Sequence, residues 1–194
     1  MEHQNPALID AFGNAIKTRS LIQEITADNV SSVSFTNLTS DFKRYIIEVD
    51  KVAPQTDSVD MFVRFSTSGV FRAGASDYSW ALVEFRSNAG LVTIVDNTDS
   101  EIHINRPVGT TRFGTSANEH FDLTLTITSL GSISEYPKIG WDAWGNNDVN
   151  FIQYNTGTGV YRGLNSGLNT IDGVQLFFSN GLVREGTFRL YGQE

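Results

Sequence analysis

Phe121-Asp122-Leu123-Thr124-Leu125-Thr126-Ile127-Thr128 decides the fold class. Large apolar side chains alternate strictly with Asp and Thr, so one face is core and the other is polar and β-branched. A period of two is a strand signal, because the apolar positions of an amphipathic helix recur every three to four residues. The pattern spreads in both directions. Downstream, residues 136–145 put Ile139, Trp141 and Ala143 on one face and Trp144 on the other. Upstream, Val59, Met61, Val63 and Phe65 alternate with Asp60, Phe62, Arg64 and Ser66, and Tyr45, Ile47 and Val49 share a face opposite Glu48 and Asp50. Segments 21–26, 31–36, 80–86, 91–95, 101–105, 149–154, 160–163, 171–179 and 187–191 also read as strands. Gly157-Thr158-Gly159 reads as a hairpin turn between two of them. About ten to twelve short strands punctuated by Gly, Asn, Asp and Ser predict an all-β, antiparallel β-sandwich, jelly-roll-like, over residues 20–194. No repeat suggests a propeller or solenoid.

Residues 1–19 stand apart as a short N-terminal helical arm. Asn5 suits a cap and Pro6 a first helical turn. Leu8, Phe12, Ala15 and Ile16 then fall on one stripe, with Ala11 beside it. Gly13 weakens so short a helix, which needs a surface to order on. That surface is either its own domain or a neighbouring subunit or larger assembly.

The 194 residues suffice for one domain with a substantial core, and 40% hydrophobic and 11% aromatic content, with 13 Phe, argues for a packed chain. A net charge of −8, with no Lys or Arg run, argues against nucleic-acid binding. There is no cysteine, so neither disulfides nor Cys-based zinc sites support the fold. The first residues lack the pattern of a secretory signal, and no apolar stretch approaches the ~20 residues that span a bilayer. No membrane insertion is expected.

No catalytic motif stands out, and the expectation is a protein that is not an enzyme. The sequence has no nucleophile elbow, zinc-binding helix or phosphate loop. His103 and His120 read as surface residues on polar strand faces, able to share a metal only if their strands pair. Asp96, Asp99 and Glu101 cluster in one turn, which reads as solvated acid with Ca²⁺ as the alternative. Glycoside hydrolysis would need two opposed carboxylates, which the sequence cannot pair. The outward aromatics are more informative. Trp144, Tyr154 and Tyr161 read as a ligand or subunit contact, and Phe177 beside Phe178 leaves one of the two outside the core.

Particular segments also carry a family resemblance. Leu21-Ile22-Gln23, Ser34-Phe35-Thr36-Asn37-Leu38 and Tyr45-Ile46-Ile47 resemble the opening strands of a family of tailed-bacteriophage structural proteins. Residues 54–67, the loop Gly74-Ala75-Ser76-Asp77-Tyr78-Ser79-Trp80-Ala81 and the closing Gly186-Thr187-Phe188-Arg189-Leu190-Tyr191-Gly192 are similar to later segments of that family. The resemblance covers residues 20–194 and departs between Ser66 and Phe71, where members often carry a longer hairpin than the short Ser68-Gly69 turn of this chain. It implies a virion setting: a tail-fibre, spike-type or head decoration component, assembled in a host cytoplasm. On this reading the chain is a homo-oligomer, expected to be a homotrimer, docked to other virion proteins through Leu8, Phe12 and Ile16. The alternative is a host-recognition module that binds a surface glycan, and a glycan-degrading enzyme ranks last.

Overall fold

Strand alternation carries through most of the chain. The computed structural model describes residues 19–105, 112–130, 135–163 and 170–194. Thirteen strands run through them. In chain order they are β1 (Ser20–Val30), β2 (Val33–Thr36), β3 (Arg44–Pro54), β4 (Met61–Thr67), β5 (Val70–Phe71), β6 (Tyr78–Arg86) and β7 (Gly90–Asp99). They continue with β8 (Ile102–His103), β9 (Phe121–Thr128), β10 (Lys138–Asn146), β11 (Ile152–Tyr161), β12 (Ile171–Phe178) and β13 (Val183–Gln193). No helix occurs among the described residues. The expected helical arm, with Leu8, Phe12 and Ile16, lies outside them.

The strands form two antiparallel sheets of unequal size. The larger has the order β1-β13-β3-β9-β10-β11-β6-β7, and the smaller β2-β12-β4-β5, with β8 also paired to β4. One hydrophobic cluster joins their inner faces. Phe121, Leu123, Leu125 and Ile127 of β9 and Ile139 and Trp141 of β10 meet Met61, Val63 and Phe65 of β4 and Val174 and Leu176 of β12. The sandwich expected from the sequence is therefore present, divided into a wide sheet and a narrow one. Ser68 (φ 53°) and Gly69 (φ 75°) are both left-handed between β4 and β5, as a two-residue type I′ hairpin requires.

One sequence reading is corrected. Gly157-Thr158-Gly159 is not a hairpin turn but the middle of the continuous strand β11, paired to β10 on one side and β6 on the other. The glycines are there because neighbouring side chains fill the space a Cβ would need. A Cβ at Gly157 would stand 2.3 Å from the Trp141 indole and 2.7 Å from the Ala81 carbonyl, and one at Gly159 would stand 2.9 Å from Ile102. The Trp141 indole N–H reaches across to the Ile104 carbonyl at 3.1 Å, which ties the wide sheet to the segment that follows β8.

Gly157→Val should therefore destabilise the fold by about 1–3 kcal/mol, since neither a sheet-centre carbonyl nor a buried indole can yield freely. Urea unfolding of the variant measures this. Unchanged stability would mean that Trp141 does not occupy that space.

Candidate functional site

The register of the wide sheet assembles its outer face row by row. In one row Leu91 faces Phe85, Phe85 faces Tyr154, and Tyr154 faces Trp144. All four are open to solvent, at 67, 48, 38 and 44% exposure respectively. Ile152, on the same face of β11, is exposed as well. Parity along the strands puts them there. The inward positions of β6 and β10 hold Trp80, Leu82, Ile139, Trp141 and Ala143, so the side chains between must face out.

The adjoining row runs Thr93, Val83, Thr156, Asp142, Thr124, Glu48, Arg189, Glu24 across all eight strands. Its character changes along its length. Over β1, β13 and β3 the face is charged and ion-paired: Arg189 holds Glu24 at 2.6 Å and also binds Asp50, and Arg19 meets Glu48 at 2.5 Å. From β9 to β7 it is mostly threonine, with Asp142 and Val83 between, and the apolar side chains of that end belong to the Leu91–Trp144 row.

Trp144 and Tyr154, both singled out in the sequence, are thus brought together as direct cross-strand neighbours. The Tyr154 hydroxyl donates to Asp142, and this bond holds the phenol above its usual range. An open trough of about 240 Å³ runs beside Trp144, lined by Glu48, Asp50, Asp122 and Thr124. A ring face next to carboxylate acceptors suits a polyhydroxylated ligand as well as a protein surface. Tyr161 does not join them. It is 2% exposed, with its ring 5.3 Å from Tyr78 and 6.4 Å from Phe65. Because β11 is one strand, Tyr154 and Tyr161 sit an odd number of residues apart and face opposite ways. Phe178 is core, whereas Phe177 is capped by Arg64, whose guanidinium lies 4.5 Å from the ring centroid, and by Phe62 at 5.5 Å. Phe85 and Leu91 were missed by the sequence reasoning. The alternation of Ala81, Val83 and Phe85 against Trp80 and Leu82 was the signal that could have found Phe85.

The acidic turn is rearranged relative to expectation. Asp99 and Glu101 converge with His103, their potential ligand atoms all lying within 4.8 Å of one another. Asp96 instead accepts from the Thr98 amide at 2.9 Å. His103 is buried rather than on the surface, stacked on Trp80 at 4.8 Å and packed on Phe62 at 4.3 Å. Its Nε2 lies 3.2 Å from Asp99, which also accepts from the Trp80 indole at 3.2 Å. Burial pushes Glu101 up, but hydrogen bonds from Ser100 and Arg64 outweigh it and hold the carboxyl below its usual range. One imidazole and two carboxylates suit zinc better than calcium, which prefers six to eight oxygens. With Arg64 and Trp80 already on the carboxylates, the cluster braces the crossing from β7 to β8. His120 meets Glu185 at 3.1 Å, so the two histidines belong to separate clusters.

The loop over residues 74–77 is closed by Asp77, whose carboxylate accepts from the Gly74 amide at 2.8 Å while its own amide donates to the Gly74 carbonyl at 3.0 Å. It is a structural turn.

The interior beneath the exposed aromatic row is polar. Glu84, Arg86, Gln153, Asn155 and Asn147 are all buried. Gln153 donates to Glu84 at 2.8 Å and to Asn155 at 3.2 Å, and Asn147 donates to Gln153 at 3.3 Å. Arg86 Nε lies 2.8 Å from Glu84 Oε1, a close charge contact. Burial pushes the Glu84 carboxyl up to about 7, against the opposing pull of Arg86 and with a further push from Asp60. Among the described residues this network has the form of internal bracing.

No protein-family model matches this sequence. No curated protein matches it either. Among solved structures, the crystal structure of the flagellar cap protein FliD D2-D3 domains from Escherichia coli is 10% identical, covering 92% of this chain and 100% of that one, with a TM-score of 0.17. A likeness that weak supports no statement about fold or function. No helix among the described residues is long and apolar enough to cross a membrane.

Glu84 makes stability depend on pH. The unfolded carboxyl titrates near its usual 4.5 and the folded one at about 7, so the folded state holds the extra proton between those values. The group's contribution is complete below the lower value and is lost as pH rises through the higher one. Unfolding free energy should fall by about 2–3 kcal/mol on this account between roughly pH 4.5 and 7.5. Urea titrations across that range, with Glu84→Gln removing the slope, measure it. An unchanged slope in the variant would assign the dependence to another group.

Proposed function

We propose that this chain is a non-enzymatic structural component of a bacteriophage particle, a tail-fibre, spike-type or head decoration protein that assembles as a homo-oligomer. The observation that carries the reading is the exposed row Leu91, Phe85, Tyr154 and Trp144, with Ile152 beside it. A contiguous apolar patch on an otherwise threonine-rich or ion-paired face is characteristic of an interaction surface. The phage setting is supported by the segment resemblances at residues 21–23, 34–38, 54–67, 74–81 and 186–192. The buried polar groups are engaged in bracing contacts, which agrees with a scaffolding role. In this reading residues 1–19 dock the domain to other virion proteins through Leu8, Phe12 and Ile16.

A second reading has its own observation. Trp144 stands beside the Tyr154–Asp142 pair and the acid-lined trough of Glu48, Asp50 and Asp122, an arrangement that offers stacking and hydrogen-bond acceptors to a surface glycan of the host. The two readings place different work on one surface, scaffolding in the first and ligand capture in the second.

Deleting residues 1–19 should remove the protein from purified particles while leaving the isolated domain folded. Particles carrying the truncated chain at the normal copy number would dispose of the docking arm. For the glycan reading, Trp144→Ala should abolish binding on a glycan array and reduce adsorption to host cells. An array without any binder, together with unchanged adsorption, leaves the scaffolding role alone.

A further inference from the structure

The two edges of the wide sheet are unlike. β1 carries Glu24 and Asp28, its register breaks between Leu21 and Gln23, and Arg189 of β13 is drawn onto it. These are the charges and irregularity that keep an edge strand from pairing with another chain. β7, at the other edge, pairs with β6 alone among the described strands. Its two carboxylates, Asp96 and Asp99, and its one register break against β6 lie together at its C-terminal end, which leaves the Leu91-Val92-Thr93-Ile94-Val95 run without charge or proline and in unbroken register from Gly90 to Asp96. Leu91 and Val95 are exposed at 67 and 59%, and Val92 and Ile94 are partly buried on the inner side, Ile94 against the core. An open, uncharged β-branched edge of this kind is a template for strand addition.

We propose that β7 pairs with β7 of a second copy of this chain, antiparallel about a two-fold axis at Thr93. The occupant follows from self-complementarity. With Thr93 on the axis, Leu91 faces the partner copy's Val95 on the outer side and Val92 faces the partner copy's Ile94 on the inner side. Gly90 faces Asp96, so no carboxylate meets another. The two-fold interface is isologous, each chain supplying the same residues. It joins the wide sheets into one and extends the row Trp144, Tyr154, Phe85, Leu91 across the axis onto Val95, Ala81 and Thr158 of the second copy, the row defined by the register of β7, β6 and β11. A charged β1 edge offers no comparable match. The inference deepens the homo-oligomer reading above and rests on it, and it replaces the expected threefold copy number with two.

The test is the solution mass of the full 194-residue chain from low to high micromolar, with register-specific variants. The wild type should be a dimer. Leu91→Lys/Val95→Lys places like charges opposite each other twice and should raise the dimer dissociation constant at least about tenfold. Leu91→Lys/Val95→Glu should restore the dimer, since residues 91 and 95 face each other only across the axis. The chain has no cysteine of its own, so Thr93→Cys should form a disulfide-linked dimer on mild oxidation whereas Leu91→Cys should not, because only the axial residue meets its own copy. A trimer would overturn the β7 pairing and leave the homo-oligomer reading standing. A monomer would overturn both. A dimer indifferent to the Lys/Lys pair, or cross-linked equally at Leu91→Cys, would place the interface elsewhere.

Discussion

The wide sheet is built around the space between Trp141 and β11. An indole at the centre of an eight-stranded sheet needs depth, and Gly157 provides it by presenting only a hydrogen to the ring. The same indole donates to the Ile104 carbonyl, so this single side chain both covers β11 at Gly157 and holds the segment that leads out of the narrow sheet. Because Gly157 keeps β11 in unbroken register with β10 and β6, Tyr154 stands beside Trp144 and Phe85. The surface patch is thus a consequence of an interior packing constraint. Inward Trp141 and outward Trp144 are coupled by nothing more than the parity of one strand.

The sandwich is also divided along its length. Its inner face is a continuous hydrocarbon core through the middle, but at one end Glu84, Arg86, Gln153, Asn155 and Asn147 replace it. Buried polar groups cost stability unless paired, and here each side chain finds a neighbour within the network or next to it. Directly above this polar interior, on the other side of β6 and β11, lies the apolar surface row. Hydrophobic side chains have been placed outside and hydrophilic ones inside over the same stretch of backbone, an inversion that folding alone does not require.

How much of this was legible in the sequence depends on the length of each alternating run. The strands β4, β6 and β9 were readable because three or more large side chains recur at a period of two with little interruption. β11 was read as two strands and a turn, since Gly-x-Gly is a turn signal in isolation and the indole that demands it lies on another strand. That error carried Tyr161 to the surface, because splitting the strand removed the parity relation to Tyr154. His103 was misplaced for a different reason: it alternates with Ile102 and Ile104, which assigns it to the polar face of its strand, but that face is buried as well. It sits between Trp80 and Phe62, and alternation along one strand does not reveal that side chains of other strands cover its polar side. Trp144 was legible from a single strand, whereas the row it belongs to needed the registers of four strands, which no linear pattern encodes.

The pairing of β1 with β13 has a mechanical meaning. Ser20 stands opposite Gly192, so the two ends of the described domain lie side by side at one corner of the wide sheet. Tension between these points loads the ladder at its first pair and peels β1 away one hydrogen bond at a time. It does not shear all the bonds together. A load carried in through residue 19 alone, against a domain held at the opposite edge, pulls across the strands and meets every strand of the sheet in series. The same domain is therefore compliant to a force between its ends and stiff to one that crosses its width.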